Sequence, residues 1–372
     1  MISFICLFSI VLGASTTDFP HLRQFATEYQ QECVDCEGCN HKSKLAFPDF
    51  CKKAIQYGPS FKSLVVYLNK TQLIPLNRTA EIIRNLFDIN LSEASILNFS
   101  KEGYDKLEGF ENAVKACLIK ADVINNDESG GRYEKKLGWF QVASNELLTF
   151  FYFHPNRGCK AMDEMGILPN FKGKSMHDFF KPYFKYLCEH VLCNAHLLRE
   201  LVFEAEENLQ NWAKDMIVLL LKIKEDVDNA KLVENSNSLS TEMLAGYEKD
   251  FNTIIEAGMQ YNPLKVKDSP KKGRAAQTKS RNLLDRLLLH REKYLAFMYD
   301  FKVPFDNNLA ERDIRMLKLY MKISGCFRTL KGASQFCRIR SYISTARKNN
   351  LNSLASLKNL FLGFPFIPKH AE

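Results

Sequence analysis

A mixed α/β fold is predicted from three observations. Between residues 121 and 154, three consecutive stretches (Ala121–Asp127, Leu137–Ala143 and Leu147–His154) are rich in aromatic and β-branched residues. Such residues fit a pleated, half-buried surface, and their close succession suits a meander. Strand-like and helix-like segments then alternate as far as His196, the pattern that lays strands parallel. On either side, residues 60–110 and 197–300 repeat apolar positions at steps of three and four, so helices surround the sheet. A chain of 372 residues, 46% of them hydrophobic, can bury such a core in two or three structural units.

Composition narrows the partner more than the fold. The balance of 51 Lys+Arg against 43 Asp+Glu gives a formal charge of +8, which favours a polyanion without requiring one. Eleven cysteines scattered over the chain are unlike the dense framework of a small secreted domain and fit reduced thiols with one metal site.

At the N-terminus, Ile2–Gly13 is apolar apart from Ser3 and Ser9, with no Lys or Arg before it. A signal peptide, a buried N-terminal segment and a non-native leader are all open readings. The run is too short to span a bilayer, and no later stretch reaches roughly 18 apolar residues, so no membrane span is expected. Cys33, Cys36 and Cys39 follow at steps of three, with His41 just beyond. A CxxC turn is half of a tetrahedral zinc site. The segment is either a zinc site or a half-site without its partner.

Phe61–Leu68 reads as a helix ended near Pro75, and Thr79–Phe87 as a second. After a break at Asp88–Asn90 comes Ser92–Phe99, with Ser92 as N-cap. This outline suits a helix-turn-helix in which Asn98, Lys101 and Lys106 would read DNA. An ordinary helical hairpin fits equally, because the turn lacks glycine. Ala121–Asp127 is a strand ending on a carboxylate, and Glu128–Gly131 is expected as a loop. Gly173–Asp178 leads to a second carboxylate, and His190–His196 is a short strand turning into a long helix. A three-strand meander followed by alternation is the order of the ribonuclease-H-like fold.

Leu197–Asn262 is helical. Asn262–Arg281 then carries Lys265, Lys267, Lys271, Lys272, Arg274, Lys279 and Arg281 with two prolines, either a solvated linker or a loop that neutralises nucleic-acid phosphates. Helix resumes over Asn282–Tyr299. At Val303–Arg315, Pro304 fixes a turn, Asp306 or Asn307 can cap, and a helix begins near Asn308. Ala310, Ile314, Leu317 and Met321 form its apolar face. Glu311, Arg315, Lys318 and Lys322 recur one residue later. This second row is either a surface face with a Glu311–Arg315 ion pair or a carboxylate leading a row of cations toward phosphate. Ala333–Lys348 is expected to cover the sheet, and Ser353–Phe361 is a final short helix.

Phosphoryl transfer by paired metal ions needs about three carboxylates converging from different elements. Asp127, Asp178 and Glu311 can supply them, although spacing alone decides little among 43 acidic residues. His177 reads as an orienting neighbour of Asp178 rather than a general base. Cys193 and His196, at i,i+3, are either ligands of a structural ion or a packed thiol beside a hydrogen-bonded imidazole.

Context favours the carboxylate reading. Pro304-Phe-Asp-Asn-Asn-Leu-Ala-Glu-Arg312 resembles the segment bearing the third catalytic carboxylate in the insertion sequence sixty-six family of DDE transposases. The likeness continues through Lys322–Arg328, Gly332-Ala333 and Ser341–Arg347. Upstream it takes in Gln56–Pro59, Pro75–Glu81 and Leu91–Ala94. Asp127–Gly130 is similar to the first-aspartate motif, with Ser129 where Thr is more familiar. His177-Asp178 is similar to the second, and Cys193–Arg199 to the CxxH stretch that follows. The resemblance covers roughly residues 18–366.

The resemblance implies a ribonuclease-H-like catalytic core over residues 119–365, with a large helical insertion at about 197–300. Before the core it implies an all-helical DNA-binding region at 49–118 and a zinc-finger remnant at 18–48. Residues 1–17 would be a non-native leader on an N-terminally truncated chain, and 366–372 a tail. The expected activity is metal-dependent DNA strand cleavage and strand transfer at insertion-sequence ends. Asp127, Asp178 and Glu311 would hold two Mg²⁺ or Mn²⁺ ions, and Cys36 and Cys39 would hold Zn²⁺. Lys271, Lys272, Arg274, Arg312, Arg315, Lys318, Lys322 and Arg328 would contact double-stranded DNA, in a homo-oligomer in the nucleoid-associated cytoplasm. The competing readings are a truncated non-catalytic DNA-binding remnant that competes with the full-length transposase, and a secreted helical protein.

Overall fold

The computed structural model describes residues 26–35, 37–39, 41–47, 51, 56–233, 236–266 and 275–369. The apolar leader, Cys36, and the basic residues Lys271, Lys272 and Arg274 lie outside these. The described part begins with a small antiparallel hairpin of β1 (Cys33–Asp35) and β2 (Lys42–Lys44), whose side chains are all exposed.

Four helices follow: α1 (Pro59–Val66), extended by a π turn over Tyr67–Thr71, α2 (Leu76–Phe87), α3 (Glu93–Lys106) and α4 (Glu108–Ile119). Ser92 caps α3 as expected, its hydroxyl accepting the Ser95 N–H at 3.1 Å. Asp88 ends α2 in the left-handed region at φ 54°. Of the proposed DNA readers, Lys106 donates to the Phe361 carbonyl at 2.9 Å and so ties α3 to the C-terminal helix. The inner faces of these helices share one core with Ile339, Tyr342 and Ile343 of α12 (Leu330–Lys348) and Leu357 and Leu360 of α13 (Ser353–Leu362).

The sheet comprises β3 (Val123–Tyr133), β4 (Lys136–Ser144), β5 (Thr149–His154), β6 (Lys174–His177) and β7 (Glu189–Leu192), in the order β5-β4-β3-β6-β7. The first three form an antiparallel meander, and β6 and β7 run parallel to β3. The helix α5 (Cys159–Met165) links the two parts. One expectation is corrected here: Glu128–Gly131 is not a loop, because β3 continues through Asp127 to Tyr133. Gly131 serves packing rather than turning, since a Cβ there would sit 2.5 Å from Phe140 Cε2. The reversal falls instead at Glu134 and Lys135, both with positive φ (48° and 63°), as a two-residue hairpin turn requires.

Both faces of the sheet are covered. Phe140, Val142, Phe151 and Phe153 pack against Ala310, Ile314 and Leu317 of α11 (Asn308–Ser324). Ile124, Ala143 and Phe150 face the core formed by the N-terminal helices. The free edge of β5 is closed by α12: the N–H groups of Thr149 and Phe151 donate to Thr345 Oγ1 at 3.1 Å and Ser341 Oγ at 2.8 Å. A helix thereby satisfies the donors that would otherwise recruit another strand.

Between β7 and α11 lies the helical insert: α6 (Asn194–Glu206), α7 (Asn211–Val233), α8 (Thr241–Tyr261), α9 (Lys279–Leu289) and α10 (Arg291–Tyr299). The single helix expected over Asn282–Tyr299 is two, broken at His290. Trp212, Leu220, Phe251, Leu284 and Leu295 give the insert its own core, anchored on Met176 and Val191 of the sheet. Among the described residues no helix is long and apolar enough to cross a membrane.

Candidate active site

Strand register brings the first two carboxylates together. In the parallel β3–β6 pair, Asn125 lies opposite Met176, so Asp127 and Asp178 each lie two residues further on, at the same height on neighbouring strands about 4.8 Å apart. His177 pairs with Leu192 of β7, which brings Cys193 to the level of Asp178. Asp127 Oδ1 accepts its neighbour's N–H, that of Glu128, at 2.7 Å, and Asp178 Oδ1 accepts the Phe180 N–H at 2.9 Å. The Asp127 carboxyl is pushed up to about 6, first by burial and then by the charges of Asp178 and Glu311, against the pull of the Glu128 N–H and Lys318.

Glu311 arrives from the first turn of α11, and one buried amide fixes it there. Asp306 caps, its Oδ1 accepting the Asn308 N–H at 2.9 Å. Asn307 does not cap; it reaches into the sheet, Nδ2 donating to the Asn126 carbonyl at 2.8 Å and Oδ1 accepting from Asn125 Nδ2 at 2.9 Å. Its own N–H points at Cys193 Sγ at 3.1 Å. The start of α11 is thus tied to β3 beside Asp127 and to the start of α6. The Glu311–Arg315 ion pair does not form. The helix turns Glu311 toward α6, where its oxygens lie 3.5 Å from His196 Nδ1 and 3.5 Å from Arg199 Nη2.

Cys193 and His196 therefore meet the third carboxylate as well as flanking the second. They line a cleft of about 340 Å³ with Asp178, Phe180, Glu200 and Arg286. Arg312, Arg315, Lys318, Lys322 and Arg328 are all exposed. Among the described residues none of the five forms an ion pair, so their charge is unneutralised along α11 and just beyond it.

Glu128, Arg157 and Tyr183, near the site, escaped the sequence reading. Glu128 is nearly buried, with Oε1 accepting from Arg157 Nε at 2.7 Å and Oε2 from the Tyr183 hydroxyl at 3.3 Å. Burial pushes its carboxyl up to about 7; Arg157 opposes this and the Asp178 charge adds to it. The Arg157 guanidinium in turn packs over Trp139 and Phe180, 4.6 and 3.9 Å from their ring centres. The signal available in sequence was an acidic doublet, Asp127-Glu128, inside a strand. His177 is fully buried and pushed down to about 3, so it is neutral, with Nε2 3.1 Å from His190 Nδ1 and Nδ1 against the Asp178 carbonyl.

The donor chemistry suits hard divalent cations. Asp127 and Asp178 stand side by side on neighbouring strands, burial and then the charges of Asp178 and Glu311 raise Asp127, and Glu311 Oε1 is buried without a hydrogen-bond partner. In the N-terminal hairpin, Cys33 and Cys39 are free and exposed.

What these elements define is an α/β protein that gathers acidic side chains at one end of a mixed sheet, beside a strip of free cations. The family model described as Transposase IS66 family matches residues 54–335, and the chain belongs to that family. Its role is accordingly that of a transposase, with DNA as the partner of its class. No curated protein matches the chain.

Proposed function

We propose that this protein is a metal-dependent DNA transposase that cuts and joins strands at the ends of its own element, with Asp127, Asp178 and Glu311 as the metal-holding carboxylates on a ribonuclease-H-like core spanning residues 119–365. The observation that carries the reading is the β3–β6 register, which sets Asp127 beside Asp178, together with the Asn307 tie that fixes the start of Glu311's helix to the same strand, next to five unpaired cations. Acidic groups forced together in this way are stabilised by a divalent ion and gain nothing from being left alone. Bound there, two Mg²⁺ or Mn²⁺ ions would supply the charge that activates a hydroxyl and stabilises a leaving 3′-oxygen.

The chain's own residues do the positioning. Asp127, at about 6, is mostly ionised at neutral pH. Asp178 is held by the Phe180 N–H and Glu311 by the Asn307 anchor. Neutral His177 braces the backbone of Asp178 and takes no proton. Arg312, Arg315, Lys318, Lys322 and Arg328 neutralise phosphates along the strand, which makes affinity fall steeply with salt. Lys271, Lys272 and Arg274 add contacts from the basic loop, Cys36 and Cys39 bind Zn²⁺, residues 49–118 hold the DNA ends, and the working form is a homo-oligomer.

The test is cleavage of element-end DNA by the purified protein with Mg²⁺ or Mn²⁺. Cleavage is expected, and Glu311→Gln should abolish it while leaving DNA affinity within about twofold, because only transition-state stabilisation is removed. Binding of the ends without cutting by the unaltered chain would make it a competing DNA-binding remnant instead.

A further inference from the structure

Glu311 belongs to two donor sets. Its charge bears on Asp127 in the sheet, and its carboxylate stands beside His196 and Cys193. One ligand atom each from Glu311, His196 and Cys193 lie within 4.8 Å of one another. Glu311 Oε1 and His196 Nδ1 are buried atoms with no hydrogen-bond partner, although they stand only 3.5 Å apart. Leaving such atoms unsatisfied costs about 1–3 kcal/mol each, and one cation between them would satisfy both. Arg199 stands at the other carboxylate oxygen, 3.5 Å from Oε2, so Oε1 is left for that cation.

Cys193 is prepared for the same role. It is 2% exposed, stands at the start of α6, and receives the Asn307 N–H on its sulfur at 3.1 Å. Burial pushes the thiol up, and the N–H groups of His196, Asn307 and Ala195 oppose that by pointing at its sulfur. The adjoining cleft leaves room for water as a fourth ligand. Thiolate, imidazole and carboxylate in one small cluster are the ligands of zinc-class ions, whereas Mg²⁺ prefers oxygen donors alone.

We propose that Cys193, His196 and Glu311 form a site for a thiophilic divalent ion of the zinc class, and that filling it withdraws Glu311 from Asp127 and Asp178. The site is a brake built around the shared carboxylate. The ion-binding half stands by itself; the inhibitory half rests on the function proposed above.

Co²⁺ is the probe, added to the full chain carrying Cys33→Ser, Cys36→Ser and Cys39→Ser so that the N-terminal thiols contribute nothing. A thiolate-to-cobalt absorption band in the near ultraviolet is expected. It should vanish in Cys193→Ser, and His196→Gln should weaken Co²⁺ binding by at least about tenfold. His196 is partly exposed, so its variant keeps the test sound if the Cys193 variant fails to fold. Absence of the band, or a band untouched by both changes, overturns the site. In a second arm, Zn²⁺ is added to Mg²⁺-dependent cleavage, and the ratio of rates without and with Zn²⁺ is compared between the unaltered chain and His196→Gln. Inhibition should be lost in the variant. Equal inhibition of both overturns the brake, and failure of Mg²⁺ to support any cleavage overturns the proposed function while the cobalt band still decides the site.

Discussion

Replacing Asp127 with Asn should make the protein more stable, and the gain should depend on pH in a defined way. The Asp127 carboxyl rises from an ordinary 3.8 to about 6 in the folded chain, so its charged form is disfavoured by folding. A raised carboxylate of this kind contributes its penalty above its unfolded value: stability falls as pH climbs from about 4 through about 6, and then levels off. That rise corresponds to about 3 kcal/mol at pH 8 and to about 1 kcal/mol at pH 4.5. Asn keeps an oxygen for the Glu128 N–H and carries no charge. Urea denaturation of both proteins at the two pH values measures the difference. Asp127→Asn should be the more stable by about 1–3 kcal/mol at pH 8, with the gap reduced to about a third of that at pH 4.5. Mg²⁺ should raise the midpoint of the unaltered chain more than that of the variant. A variant less stable at pH 8, or a gap that ignores pH, would show that burial and the neighbouring charges do not raise the Asp127 carboxyl on folding.

Two other changes probe the scaffold. Asn307→Leu removes both side-chain bonds to β3 and leaves Asn125 Nδ2 and the Asn126 carbonyl unmet, so urea unfolding should show a loss of about 2–4 kcal/mol. Cleavage should fall further than end-DNA affinity, since Glu311 loses its anchor; an unchanged unfolding midpoint would refute the anchoring role. Gly173→Ala puts a Cβ 2.5 Å from the Asp122 carbonyl and 2.6 Å from that of Ala121, backbone atoms that can yield only by moving β6 away from β3. A loss of about 1–3 kcal/mol or more is expected, with weaker cooperation between Asp127 and Asp178 in Mg²⁺ binding by calorimetry. Unaltered Mg²⁺ affinity would show that the register of β6 does not govern the site.

Much of the fold was legible because it is local. Aromatic and β-branched runs marked the meander, Ser92 announced α3, and Pro304 with Asp306 announced α11 at Asn308. The expected loop at Glu128–Gly131 rests on paired glycines as punctuation, whereas Gly131 makes room for Phe140 and Phe153 within the strand. The true turn uses Glu134 and Lys135, which carry no turn preference. At the site, the three carboxylates could be picked out by the resemblance of their surroundings, but their supports could not. Asn307 meets Asn125 across 182 residues, and Arg157 meets Glu128 across 29; no periodicity encodes either contact. Likewise, i,i+4 spacing suggested Arg315 as the partner of Glu311, whereas tertiary packing supplied His196 and Arg199.

The helical insert leaves the sheet at Asn194 and returns at Phe305, and these two residues are joined by a backbone hydrogen bond of 3.2 Å. Its exit and re-entry are therefore one place, stapled again by the Asn307 N–H to Cys193, 114 residues apart in sequence. A segment whose ends already touch transmits no tension when its contour changes, and doubling its length costs only about 0.6 kcal/mol of closure entropy. The insert beyond α6 can thus be lengthened or trimmed while the spacing of the acidic side chains stays where the sheet sets it.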